Sequence, residues 1–244
     1  FLELKKIDSA LENFNKAIEV KPDYFQAYIN RGNVFLKLKE IDSALESYDQ
    51  AIKINPNYAE AYYNRGKALK EFHNLEEAIN NYDQAIKINP NYAEAYYNRG
   101  NALSEFHNLE EAINSYEQAI KINPNYAEVY NNRGNALIKL RRPKLAFESY
   151  EEAIKIKPDL KFLLGSIFNT KQSMCNWESY EKDLKILIQK IIDGHKVSPP
   201  YYTLSFIDSL KLQRITVEKW VKDKFPLKNI FAPITKRKKE KKIR

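Results

Sequence analysis

The stretch that decides the fold runs from Ala59 to Tyr92 and reads AEAYYNRGKALKEFHNLEEAINNYDQAIKINPNY. Ala93 to Tyr126 repeats it with only four changes, Lys67/Asn101, Lys70/Ser104, Asn81/Ser115 and Asp83/Glu117. Phe25 to Tyr58 and Ala127 to Leu160 are more divergent copies in the same 34-residue frame, and Phe1 to Tyr24 matches its last 24 positions. A fixed period of this length means stacked units, each of which covers the apolar face of its neighbour. Residues 1–160 therefore divide into a partial unit, 1–24, and four full ones, 25–58, 59–92, 93–126 and 127–160. The chain begins inside a repeat and without methionine, and it is expected to be a piece of something longer.

Each unit reads as two helices, A and B. Asn57, Asn91 and Asn125 stand three residues before Glu60, Glu94 and Glu128, a capping-box spacing expected to open helix A. A second box, Asn74 with Glu77 and Asn108 with Glu111, is expected to open helix B, where the last full unit carries Pro143 instead. Pro22, Pro56, Pro90, Pro124 and Pro158 recur every 34 residues and end helix B, because the residue before proline is pushed out of helical geometry.

The packing positions keep the same frame. Gly32, Gly66, Gly100 and Gly134 lie within helix A, where glycine costs about 0.5–1 kcal/mol against alanine, so close helix approach is expected there. Small residues on helix B, from Ala44 and Ala51 to Ala146 and Ala153, let the hairpins nest. Tyr28, Tyr62, Tyr96 and Tyr130 on helix A and Tyr48, Tyr82, Tyr116 and Tyr150 on helix B are read as an aromatic core stripe. This order of aromatic, Gly, Ala, aromatic, Ala and Pro resembles the tetratricopeptide repeat. The resemblance implies an all-α, right-handed superhelical solenoid of helical hairpins. Arg31, Arg65, Arg99 and Arg133 fall where that family usually has leucine; their stems are expected to pack on the next repeat while their heads reach water.

Composition narrows the function classes. The chain has 244 residues, a formal charge of +8 and one cysteine, Cys175, which excludes an internal disulfide or a Cys-rich zinc site and suits a cytoplasmic protein. No apolar run reaches membrane-spanning length, and no signal peptide is readable. The charge is uneven. Residues 1–160 carry 21 Lys and Arg against 24 Asp and Glu, whereas Lys236 to Arg244 alone holds seven basic residues and one acidic. That run lacks interleaved aromatics and is read as a solvated basic linker, 236–244, so no nucleic-acid or membrane partner is expected.

Function is expected on the concave face that stacked hairpins form, lined mainly by helix A. Its candidate peptide-binding residues are Asn30, Asn64, Asn98 and Asn132, each just before the Arg-Gly pair, with Asn33, Asn101 and Asn135 three residues on. An asparagine amide carries two donors and an acceptor, so a row of them can pair with successive peptide groups of an extended polypeptide without reading its side chains. His73 and His107 are copies of one turn position, occupied elsewhere by Lys39 and Arg141, and no ligand cluster accompanies them. No phosphate loop, nucleophile elbow or metalloprotease motif occurs, so no catalytic residue, metal or cofactor is expected in this chain.

After Leu160 the pattern fails. Residues 161–235 are read as a degenerate repeat and connector helices that cap the solenoid. One helix is expected from Asn176, with Trp177, Tyr180, Leu184, Leu187, Ile188 and Ile191 on its apolar face. A stop at Ser198-Pro199-Pro200 and a helix from near Asp208 to Phe225, ended by Pro226, follow. Leu163-Leu164, Met174-Cys175-Asn176-Trp177-Glu178-Ser179-Tyr180, Ser198-Pro199-Pro200-Tyr201 and Gln213-Arg214 together resemble the connector of O-linked N-acetylglucosamine transferases, especially bacterial ones. Asn176 departs from the commoner Asp of that family. The resemblance implies that the asparagine row holds acceptor polypeptides for a glycosyltransferase domain beyond Arg244. It further implies a UDP-sugar donor for that domain and makes Lys241-Lys242-Ile243-Arg244 the start of its first strand. The alternative is a non-enzymatic scaffold or co-chaperone. A carboxylate-binding groove would need converging cations, and among the proposed groove positions Lys67 is a solitary one.

Overall fold

The computed structural model describes residues 2–225, and every regular element among them is an α-helix. The basic run 236–244, the expected strand opening at 241–244 and the Pro226 stop lie outside the described residues. Two compact units are present, one of Phe1–Leu160 with Ser173–Cys175, the other of Lys161–Gln172 with the chain from Asn176 onward.

The first unit is a solenoid of helical hairpins. After α1 (Leu2–Val20), the B helix of the partial repeat, come α2 (Phe25–Leu38) and α3 (Ile41–Ile54), then α4 (Ala59–Glu71) and α5 (Leu75–Ile88). The pairs α6 (Ala93–Glu105) with α7 (Leu109–Ile122) and α8 (Ala127–Lys139) with α9 (Pro143–Ile156) complete it. The B helices α3, α5 and α7 each pack on their own A helix and on the next one, while neighbouring A helices also touch, α2 with α4, α4 with α6 and α6 with α8. The A helices thus share one face.

What sets the hairpin angle is a tyrosine ring lying on a glycine. Tyr48, Tyr82, Tyr116 and Tyr150 are at most 1% exposed. A methyl group on Gly66 would stand 2.8 Å from Tyr82 Cε1, and one on Gly100 2.6 Å from Tyr116 Cε1, so the helix backbone itself is the ring's packing partner. The same four phenols also need acceptors. Tyr48 donates to Asn33 Oδ1 (2.8 Å), Tyr116 to Asn101 Oδ1 (2.9 Å) and Tyr150 to Asn135 Oδ1 (2.8 Å). Lys67 fills that place in the remaining repeat and offers no acceptor, and Tyr82 Oη is buried with no hydrogen bond.

The side chains of helix A depart from the expected pattern. The A-helix tyrosines Tyr28, Tyr62, Tyr96 and Tyr130 are only half-buried, not core; Tyr62 lines an open cleft with Pro56, Asn57, Gln84 and Lys87. The arginine heads do not reach out to water. Arg99 donates from Nε to Asp83 (2.6 Å) on the preceding B helix and from its terminal nitrogens to Ser115 (2.7 Å) and Glu111 (3.2 Å) on its own. Arg65 bridges Asp49 and Glu77 in the same way, Arg133 bridges Glu117 and Ser149, and Arg31 joins Asn15 to Ser47. Three helices are held by each guanidinium, whose fork of donors suits divided acceptors. Glu117, one methylene longer than Asp83, takes a terminal nitrogen and leaves the buried Arg133 Nε without an acceptor.

The first capping box is also absent. Helix A starts one residue later, with Tyr58, Tyr92 and Tyr126 at the N-cap and no side-chain cap bond. The chain bends earlier, because Asn55, Asn89 and Asn123 accept the amides of Asn57, Asn91 and Asn125 in Asx turns. At helix B, Asn74 accepts from the Glu77 amide (3.4 Å), whereas Asn108 caps by position only. In both, the asparagine Nδ2 donates to the glutamate, since the Asn74 and Asn108 backbone amides already bond Leu69 and Leu103 carbonyls. Lys39, His73, His107 and Arg141 sit there in left-handed geometry, which is why that turn is short.

The second unit holds α10 (Leu163–Ser173), α11 (Tyr180–Ile192), α12 (Pro200–Phe206) and α13 (Leu210–Lys224). Its core is Phe168, Leu187, Ile191, Val197 and Ile207. Gly165 lets the backbone at Ser198 lie on α10, where a Cβ would meet Ser198 Cα at 2.6 Å, and its amide donates to Val197 O. Asp223 accepts from Lys161 and Lys196, and these two bonds hold its carboxyl down at about 2. Asn176 does not open α11; it accepts the Glu178 amide, Ser179 is the N-cap, and Trp177 is 54% exposed rather than core. Pro200 opens α12 instead of ending the chain's helical course, its missing amide being one that a first helical position leaves unpaired anyway.

Replacing Gly100 with Ala is expected to lower stability by about 1–2 kcal/mol in urea unfolding, because overpacking the Tyr116 ring outweighs the gain in helix propensity. An unchanged or raised midpoint would show that the ring does not set the contact. Tyr116→Phe should cost about 1 kcal/mol, while Tyr82→Phe, which deletes a hydroxyl with no acceptor, should be neutral or stabilising. Equal losses in the two variants would contradict the bonding described.

Candidate peptide-binding face

The seven candidate asparagines all lie on A helices, but the structure joins only some of them. Asn98 Nδ2 donates to Tyr63 Oη (2.9 Å) in the preceding repeat and to Glu94 O (3.1 Å). Asn132 Nδ2 donates to Tyr97 Oη (3.2 Å) and to Asn101 Oδ1 (2.8 Å), and its own Oδ1 accepts from Asn131 (3.2 Å). Asn98, Asn101 and Asn132 are therefore tied across repeat boundaries to tyrosines or to one another. Asn64 is 5% exposed and makes no side-chain bond, because the preceding repeat has Ile29 where the later ones have Tyr63 and Tyr97. Asn30 is exposed and stands apart.

These bonds orient the amides. Asn33, Asn101 and Asn135 accept from a buried phenol through Oδ1, which leaves Nδ2 as the free donor. Asn98 spends Nδ2 on Tyr63 and leaves Oδ1 as an acceptor. Donors and acceptors of fixed direction therefore occur on one face, the pairing that a peptide main chain requires.

Sequence reasoning passed over the tyrosines beside them. Tyr63 packs on Tyr92 with ring centroids 4.9 Å apart, and Tyr97 on Tyr126 at 5.0 Å. Burial pushes the phenols of Tyr63, Tyr92 and Tyr126 upward, and the negative charge of Glu94 adds to all three shifts. Both pairs recur at the 34-residue period, which is the signal that would have found them. Lys67, the one cation in the second asparagine row, places Nζ 5.5 Å from the centre of the Tyr63 ring. Lys39 pairs with Glu71, Lys70 with Glu105 and Lys157 with Glu128.

Among the described residues no three His, Cys, Asp or Glu gather as metal ligands, and no helix is long and apolar enough to cross a membrane. Cys175 is exposed.

Among curated proteins none matches the chain. Solved structures do. A MamA crystal structure is 24% identical over 64% of this chain and 91% of its own, with a TM-score of 0.60. YrrB, described as a TPR protein with an unusual peptide-binding site, is 19% identical, with 85% and 99% covered and a TM-score of 0.63. PilF of Pseudomonas aeruginosa is 19% identical, with 89% and 92% covered and a TM-score of 0.68. At these identities the likeness is one of fold. The family profile described as TPR repeat matches residues 1–39, 32–71, 74–105 and 108–140, and the one described as tetratricopeptide repeat matches 127–160. With that span matched and the glycine–tyrosine hairpin in place, the chain belongs to the tetratricopeptide-repeat family, whose repeats serve protein–protein interaction.

Proposed function

We propose that the first unit grips an extended polypeptide by its main chain, along the face that carries Asn30, Asn64, Asn98 and Asn132 with Asn33, Asn101 and Asn135. The observation that carries this reading is the engagement of one end of each amide by a tyrosine, which leaves Nδ2 free at Asn33, Asn101 and Asn135 and Oδ1 free at Asn98. A ligand group arriving there finds a donor or acceptor already aimed, so little ordering cost remains. The peptide-binding site ascribed to YrrB gives the proposal a counterpart on the same fold.

The finer reading makes the gripped chain an acceptor protein, presented in the cytoplasm to a glycosyltransferase region that uses a UDP-sugar. Its support is the sequence resemblance at residues 174–180 and 198–201. A scaffold that joins two proteins without chemistry would use the same face, and the main-chain grip serves both.

Replacing Asn64, Asn98 and Asn132 together with alanine should weaken binding of an unstructured Ser/Thr-rich polypeptide about tenfold, by loss of the Asn98 Oδ1 acceptor and of the bonds that hold Tyr63, Tyr97 and Asn101 in place. Helicity should stay the same, because the bonds from Tyr48, Tyr116 and Tyr150 within their own hairpins are untouched. Fluorescence titration of the folded triple variant measures this; unaltered affinity sinks the proposal.

A further inference from the structure

The second asparagine row has one irregular member. Where its other members are Asn33, Asn101 and Asn135, repeat 59–92 carries Lys67, whose ammonium lies over the Tyr63 ring. The next repeat has the equivalent ring, Tyr97, seated on Tyr126 as Tyr63 is on Tyr92. It has Asn101 in place of the lysine, and among the described residues no cation stands over Tyr97. One helical turn before Tyr97, on the same side of α6, stands Glu94, exposed and in no ion pair. Residues 94, 97 and 101 follow the three- and four-residue steps of one helix face.

An aromatic face beside an unneutralised carboxylate is the environment that attracts a cation: the ring quadrupole and the carboxylate act in the same direction. Lys67 demonstrates this inside the molecule, one repeat earlier. The wider field agrees, since residues 59–126 carry six Lys and Arg against ten Asp and Glu. Resting on the main-chain grip proposed above, we infer that Tyr97, Tyr126 and Glu94 form a subsite for a lysine or arginine side chain of the bound polypeptide. The face thereby selects basic segments.

The equivalent ring pairs recur once per repeat, at Tyr63 with Tyr92 and at Tyr97 with Tyr126. A polyproline-II chain turns every third side chain, about 9.3 Å on, to the same face, so cations at every third residue are presented in series to that row.

The test titrates the 244-residue chain with two unstructured peptides of equal length, one carrying Lys and the other Gln at every third position. The Lys peptide should bind on the order of tenfold more tightly. Tyr97→Leu, which keeps the charge, should bring it down to the Gln peptide, and Glu94→Gln, at an exposed residue, should narrow the gap with the fold intact. Lys67→Asn should widen it by uncovering Tyr63. Equal binding of both peptides overturns the cation subsite and leaves the main-chain grip standing. A Lys preference that survives Tyr97→Leu assigns it to diffuse charge and also overturns the subsite. Failure of both peptides to bind overturns both readings.

Discussion

A tyrosine ring pressed onto a helix backbone is the contact from which the repeat architecture follows. With hydrogen alone at Gly32, Gly66, Gly100 and Gly134, the B-helix tyrosine lies flush against helix A, and the same ring-on-glycine contact recurs in every full repeat. The cost of glycine within a helix, about 0.5–1 kcal/mol, is offset by burial of a full aromatic side chain. Placing the ring there also fixes the end of its hydroxyl. That hydroxyl emerges at the next row of helix A, where Asn33, Asn101 and Asn135 accept from it. Core packing thereby decides which way an inner-face amide points, and packing and recognition become parts of one arrangement.

Charge performs the second joining task. Tetratricopeptide hairpins usually place an apolar residue where this chain has Arg31, Arg65, Arg99 and Arg133. Here each guanidinium is shared between the B helix of its own hairpin and that of the one before. The guanidinium-bearing side chains of Arg65 and Arg99 are 19% and 17% exposed, while their acidic partners remain about half exposed. Such pairs fall between surface bridges, which contribute little, and fully buried ones, whose desolvation is severe. Their value lies in direction: a fork with fixed donors sets the register of one repeat on the next. The inner face is left to asparagine, tyrosine and glutamate, with Lys67 as the one cation in its second asparagine row.

Much of this was legible in the sequence because the period is so regular. Glycine, alanine, tyrosine and proline at 34-residue intervals specify the hairpins, and helix B ends where its prolines require. What escaped was set by side-chain competition across repeat boundaries. The Asn57–Glu60 spacing fits a capping box, yet the Asx turn at Asn55 captures the Asn57 amide first and moves the helix start by one residue. The arginines read as snorkelling because their acceptors, Asp49 and Asp83, lie 16 residues upstream and belong to another repeat. The asparagines were visible as a row, but their polarity was not, since it depends on Tyr116 or Tyr63 reaching them through space. In the second unit Trp177 fits a helical stripe by spacing, although the helix begins only at Tyr180.

Tyrosines hold Asn33, Asn98, Asn101 and Asn135 so that one end of each amide is left for the ligand. The most direct measurement is a side-chain carboxamide NMR experiment on the ¹⁵N-labelled chain with an unstructured polypeptide bound. Cross-peaks are expected from the Nδ2 protons of Asn33, Asn101 and Asn135 to the ligand, while those of Asn98 and Asn132 remain with Tyr63 and Tyr97. Ligand contacts confined to B helices, with the Asn33, Asn101 and Asn135 amide protons unmoved, would contradict it.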